Sequence, residues 1–278
     1  MNRLVGLCLL FAAIACAQDA RQIVAESENR SRSKSQQYEG TLEVIGASNK
    51  VSIKRWEYRR IGSYGTSKAI LRFTAPAEVK GVALLIVNHT DRASDQWMWT
   101  PAIERDRRIA AQDRSTRFFG TDFSFEDLEE RDVDQFNYKL LGDDSVDGAA
   151  CWKIESKPKQ SKSSQYTSSL VWVRKDNYVV AQMEDYAKDK LVRRIRYSDI
   201  QNVAGIWTPR TVEVYDANRK SRTVFIRRLS NRIGAPPPAT VGFAATRTIF
   251  CGVFATSRSA ASRRSSPGRS GRRVGSPT

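Results

Sequence analysis

The rhythm of apolar and polar positions changes twice along this chain. From Leu4 to Ala15 there is no alternation, only an apolar run free of acidic and basic side chains. A bilayer span takes roughly 20 apolar residues, so this run is too short to cross a membrane. It follows Arg3 and ends in Ala15-Cys16-Ala17, the small-x-small pattern that a signal peptidase reads, and cleavage before Gln18 is expected. An uncleaved anchor and a lipobox centred on Cys16 are the alternatives, the second a poor fit at Ala13 and Ile14.

Past this run the apolar positions first recur at helical spacing. Asp19 is a good N-cap, and Ala20, Ile23, Val24 and Ser27 share one face, which predicts a short amphipathic helix. After Tyr38 the period becomes two. Val51 and Ile53, then Trp56 and Tyr58, alternate with polar residues, and the slip at Lys54-Arg55 predicts a bulge. Ala69, Leu71 and Phe73 alternate until Pro76, and 82–87 is a continuous apolar run of strand length. Runs at 170–174, 178–186, 191–197, 206–215 and 222–229 are rich in Val, Ile, Tyr and Trp, with turn-forming KDN, AKDK and DANRK stretches at three joins.

At least eight strands joined by short turns pair antiparallel, which predicts a mainly β chain with few helices, of α+β class, built on a long curved sheet or an open barrel. Helical segments at the N-terminus and after Ser124 are the candidates to cover its apolar face. The pattern ends near Asn231. From there the chain has eight Arg and no Lys, Asp or Glu, whereas 18–230 holds 37 Lys plus Arg against 30 Asp plus Glu. The expected organisation is a signal peptide over 1–17, one folded domain over 18–230, and a disordered Arg/Ser/Pro-rich tail over 231–278. That tail reads as out-of-frame sequence, as a natural disordered segment, or as an arginine-rich arm for nucleic acid or acidic lipid.

Candidate chemistry is sparse. Cys8 and Cys16 leave with the signal, and Cys151 with Cys251 makes neither a disulfide framework nor a metal-ligand set. The single histidine, His89, stands beside Thr90 and Asp91 as a turn residue. Capping and ion pairing account for Asp122, Glu126 and Asp127, and no nucleophile, metal cluster or glycine-rich phosphate loop accompanies them. The chain is therefore read as a non-enzyme without a cofactor.

Two aromatic groups remain. Trp97 and Trp99 share one strand face while Met98 points to the other, so the pair lines either the core or a cavity wall. Beyond Pro101, Arg105, Arg107 and Arg108 lie among Glu104, Asp106 and Asp113, as a self-neutralising network or as a headgroup or partner site. In RFFGTDFSFEDL, Gly120 permits a turn and Ser124 with Asp127 starts a helix. Phe118, Phe119, Phe123 and Phe125 then anchor that helix to the sheet or touch a ligand.

Over residues 73–128 the segments FTAPAEVKGVALLIVNH and DQWMWTPAIERDRRIAAQDRSTRFFGTDFSFEDL follow one another. Their aromatic strand, Pro-Ala step, Arg-Arg-Ile segment and D-F-S-x-E-D element, in this order, resemble the LolA-like family of outer-membrane lipoprotein-sorting proteins, with a looser likeness to about Arg228. The resemblance implies an unclosed, strongly curved antiparallel sheet with helices over its concave face and a greasy cavity between them. It implies a periplasmic carrier or chaperone that holds the acyl chains of a lipoprotein or another lipid for sorting to the outer membrane. Transient contact with a membrane surface or envelope transporter goes with that role, and nucleic acid does not. On this reading Trp97, Trp99, Phe118, Phe119, Phe123 and Phe125 are the acyl-contact candidates. A non-catalytic accessory protein of an envelope transporter is the alternative. The relatives continue with sheet-forming sequence where this chain stops near Asn231, from which an unpaired sheet edge is expected.

Overall fold

The computed structural model describes residues 19–160 and 163–228. The expected signal peptide and its cleavage site, Cys251 and the 231–278 tail lie outside the described residues. The described residues open with helix α1 (Ala20–Ser31), capped by the Asp19 carboxylate, which accepts from the Arg21 backbone N–H. Ile23 is fully buried on the face that the spacing predicts.

Thirteen strands follow among the described residues. They are β1 (Ser35–Ile45), β2 (Val51–Ile61), β3 (Lys68–Ala75), β4 (Ala83–Val87), β5 (Asp95–Thr100), β6 (Arg105–Arg108) and β7 (Phe136–Val146), then β8 (Ala149–Pro158), β9 (Ser168–Arg174), β10 (Val180–Ala187), β11 (Lys190–Val203), β12 (Ile206–Asp216) and β13 (Ser221–Arg228). All pair antiparallel in one sheet of order β6-β5-β4-β3-β2-β1-β13-β12-β11-β10-β9-β8-β7, which does not close into a barrel. Two meanders, β1–β6 and β7–β13, are thus fused where the first strand pairs with the last, Leu42 standing opposite Phe225.

This pairing corrects the expected loose edge at the C-terminus. β13 has a partner on both sides, β1 and β12, and sits mid-sheet. The true edges are β6, whose four residues Arg-Asp-Arg-Arg are all exposed, and β7. A short, charged edge strand discourages pairing with a second chain.

At the β1–β13 seam the backbones approach so closely that a Cβ on Gly40 would lie 2.1 Å from the Ile226 carbonyl oxygen. Only glycine fits there. The bulge expected at Lys54-Arg55 is absent from β2, which pairs with β1 without a shift from Val51 to Ile61. Val51 and Ile53 therefore take the face opposite Trp56 and Tyr58 and are exposed, and the register shift beside Arg55 falls on β3, where Thr74 is the extra residue. Lys188 and Asp189 join β10 to β11 with φ of 48° and 65°, the two left-handed residues that a tight hairpin requires.

Alternation sends Leu42, Trp56, Phe73, Leu84, Val214 and Phe225 to one face, where they form the main core with Ile23 of α1. The other cover of that face is the connection from β6 to β7. Because these consecutive strands are opposite edges of the sheet, residues 109–135 must cross it, and they do so as a strap along the core face. The strap holds short 3-10 turns, among them Glu126–Leu128, in place of the helix expected after Ser124. Ser124 and Asp127 do make the reciprocal bonds of a capping box, the Ser124 N–H donating to Asp127 at 2.6 Å. The helix fails to propagate because Glu129 turns to extended backbone, which lets the adjacent Glu129 and Glu130 reach Arg114 and Arg60 separately.

Candidate functional site

The strap presents its aromatic side chains to the sheet. Phe118, Phe123 and Phe125 are buried and Phe119 half-buried, all within the main core. Phe118 stacks on Phe73 of β3 at 5.5 Å between ring centroids and meets Phe119 and Phe125 edge-on, while Phe123 packs on Phe225 of β13 at 4.8 Å. Phe119 and Gly120 turn the chain between these rings with φ of 46° and 74°.

Trp97 and Trp99 are not brought to these phenylalanines. Opposite Leu85 and Ala83 in the β4–β5 pairing, they pack with Ile70 in a separate cluster, whereas Leu84 and Met98, one step along the same strands, join the main core. The sheet therefore separates the two tryptophans from the four phenylalanines. The Arg108 guanidinium lies 5.9 Å from the Trp97 ring on that outer side.

Polar clasps hold the strap to the sheet at several strands. Asp122, fully buried, accepts from Ser221 at 2.6 Å and Thr223 at 2.8 Å on β13, and from Arg117 at 3.1 Å. Asp127 pairs with Arg193 of β11 and accepts from the Tyr166 hydroxyl at 2.7 Å. Glu129 takes a two-pronged contact from Arg114, at 2.8 and 2.5 Å, and a bond from Gln96 of β5 at 2.8 Å. Glu130 pairs with Arg60 of β2 and accepts from Ser67 at 2.6 Å. These roles match the capping and ion pairing expected of the acidic residues.

Burial leaves its mark on the same network. Desolvation pushes the Tyr166 hydroxyl well above its ordinary range, with Asp127 adding to the effect. Asp185 of β10, fully buried, is pushed up to about 6 by desolvation against the partial help of Arg131. One of its oxygens accepts from Ser169 at 2.6 Å and the other has no hydrogen-bond partner. His89 lies beyond β4, 3.0 Å from Asp95 and 2.8 Å from Arg92, as the turn residue expected.

Two cavities open beside the strap-covered core. The larger, about 630 Å3, is lined by Gly40 of β1, Arg55 and Trp56 of β2, Arg210 of β12, and Arg227 and Arg228 of β13. The smaller, about 240 Å3, lies between α1 and the sheet, with Tyr64, Tyr178, Tyr197 and Trp207 in its wall. Ligand pockets span roughly 300–1,000 Å3, a range that admits only the larger. Sequence reasoning passed over it because its wall comes from β1, β2, β12 and β13, whose meeting no local pattern announces. Among the described residues there is no metal-ligand cluster, and no helix is long and apolar enough to cross a membrane.

An open antiparallel sheet with one helix and a pinned aromatic strap over its core face is, among the described residues, the architecture to which the comparisons with solved structures point. The fold is that of the LolA-like proteins. The chain belongs to the family whose model, described as an uncharacterized protein, matches residues 65–231, more than half of the chain. A domain from Vibrio parahaemolyticus, provisionally designated outer membrane lipoprotein-sorting, superposes with a TM-score of 0.75 at 21% identity, covering 84% of this chain and 97% of that one. A DUF1329 family protein from Desulfovibrio piger gives 0.75 at 27% identity, over 81% and 97% of the two chains. A LolA superfamily protein from Nitrosomonas europaea gives 0.61 at 20% identity, over 76% and 92%. No curated protein matches the chain in sequence.

Proposed function

We propose that this protein is a periplasmic carrier that shields the acyl chains of a lipoprotein or another lipid in the groove between sheet and strap. The observation that carries the reading is the strap itself. It fills the concave side with phenylalanines that belong to no strand, and it is held in place by polar clasps. An acyl chain that displaces these rings exchanges one apolar filling for another, so the groove stays dry. Each buried methylene contributes about 0.8 kcal/mol, which gives a chain of ordinary length ample reason to enter. For acyl contact we retain Phe118, Phe119, Phe123 and Phe125; Trp97 and Trp99 stand in the outer-face cluster.

Native mass spectrometry of the protein purified from the cell envelope, paired with titration of a fluorescent acyl probe, tests this. Phe118→Ala opens space in the groove and is expected to keep or strengthen probe binding while lowering stability by about 3–5 kcal/mol. A wild-type protein that carries no lipid and binds no probe would refute the carrier reading and leave the accessory-protein alternative.

A further inference from the structure

On the outer face of the first meander, Arg59, Ile70, Leu85, Trp97 and Arg108 stand in register across β2 to β6, with Glu57, Arg72, Ala83, Trp99 and Asp106 as the next row. Ile70, Ala83 and Leu85 are buried there beneath their sheet neighbours Val87, Trp97 and Trp99, and no apolar residue of α1 or the strap joins the cluster. The two tryptophans are half-buried, and neither indole N–H has an acceptor among the described residues. The apolar surface continues toward one end of the sheet. On the same face of β2, Val51 and Ile53 are 52% and 55% exposed, and at that end the β5–β6 turn carries Ile103, 63% exposed. These are three of the five large apolar side chains exposed among the described residues, and such a concentration marks a contact surface.

The charge on this face is unbalanced. The strand repeat turns Arg55, Arg59, Lys68, Arg72 and Arg108 outward, five cations against the three carboxylates Glu57, Asp95 and Asp106. Glu57 is shared by Arg59 and Arg72, and Asp95 by Arg92 and Arg108. Arg55 is exposed and has no ion-pair partner among the described residues. The outer face of the second meander is different. There Arg194 pairs with Glu184 at 2.7 Å and Arg222 with Glu213 at 3.6 Å, and Trp172 is buried with its indole N–H on Asp144 at 2.9 Å. Exposed aliphatic side chains, indoles with an unused N–H and an excess of guanidinium groups together match the boundary layer of a bilayer, which is apolar at depth and anionic at its surface.

We infer that the outer face of β2–β6 docks on a bilayer leaflet that carries anionic lipids, Ile53, Trp97 and Trp99 reaching the headgroup layer and Arg55, Arg72 and Arg108 meeting its phosphates. This surface lies across the sheet from the strap, so the inference does not rest on the carrier reading.

Flotation of the full chain with vesicles of phosphatidylglycerol and phosphatidylethanolamine, against vesicles of phosphatidylcholine alone, tests it. Binding to the anionic vesicles is expected to be at least about tenfold tighter and to weaken as salt is added. Ile53 and Arg55 are exposed and outside the core clusters, so Ile53→Ser and Arg55→Glu should each leave the melting temperature unchanged while weakening vesicle binding about fivefold or more. Trp99→Ala should weaken binding too, at some cost in stability because it uncovers Ala83. Arg222→Glu, the same change of charge on the outer face of the second meander, should have less effect than Arg55→Glu. Acyl-probe binding should be unchanged in Ile53→Ser and Arg55→Glu, which separates this surface from the groove. Absence of vesicle binding, equal binding to phosphatidylcholine, or equal losses from Arg222→Glu and Arg55→Glu overturns the inference. Binding that survives both Ile53→Ser and Arg55→Glu also overturns it and assigns the contact to another part of the chain, such as the arginine-rich stretch after Asn231. Dimerisation that is lost in the same two variants overturns it as well and makes the face a contact between two copies.

Discussion

Replacing Asp122 by alanine should release the strap. Its carboxylate is fully buried and accepts from two buried hydroxyls of β13, Ser221 and Thr223, and from Arg117. Alanine leaves both hydroxyls without their acceptor, at about 1–3 kcal/mol each when no substitute is found. The Arg117 side chain is 24% exposed, so water recovers much of what its guanidinium loses and its share is small. The expected loss is therefore about 3–5 kcal/mol, in line with what removal of one partner from a buried charged contact costs. Against a net stability of about 5–15 kcal/mol for a typical domain, that is large. Urea unfolding measures it, and hydrogen exchange locates it: amides of residues 114–128 should lose protection before those of β1 and β13. Asp122→Asn keeps the shape and one acceptor and should cost less. If Asp122→Ala unfolds within about 0.5 kcal/mol of wild type with strap amides equally protected, the clasp is not what holds the strap.

Gly40→Ala should be strongly destabilising, by about 3 kcal/mol or more, because the added Cβ meets the Ile226 carbonyl oxygen and the β1–β13 seam must part to admit it; a thermal shift of less than a degree would contradict the seam geometry. Stability should fall as pH rises from about 4 to about 6. Folded Asp185 keeps its proton up to about 6 while the unfolded residue loses it near 3.8, so the native state binds more protons across that window and is penalised above it by about 3 kcal/mol. Asp185→Asn should flatten that part of the pH profile in urea titrations, and an unchanged slope would mean that the residue is not buried. Burial, aided by Asp132, raises Glu28 as well, to about 8, so the variant keeps a decline from about pH 4.5 to about 8 that is shallower below pH 6 than the wild type's.

Much of the fold is local and legible in the chain. Asp19 begins the helix because a carboxylate there meets a free N–H, and Leu71 and Phe73 point one way because the strand repeat is two. The turn stretches mark the hairpins of the second meander, and the D-F-S-x-E-D element makes its capping bonds within four residues. Edge strands β6 and β7 were not legible, since a strand without a buried face need not alternate: Arg105–Arg108 is charged throughout, and β7 is buried only at Phe136 and Val146. Tertiary structure alone decided the long-range matters. Pairing of β1 with β13 puts the end of the domain in mid-sheet, which obliges the β6–β7 connection to cross the concave face and turns four phenylalanines into its filling. The same pairing brings strands far apart in sequence to the wall of one cavity, while the pleat sends Trp97 and Trp99 to the outer side. Periodicity specifies which side of its own strand a residue occupies; only the closing of backbone hydrogen bonds between distant strands determines what it meets there.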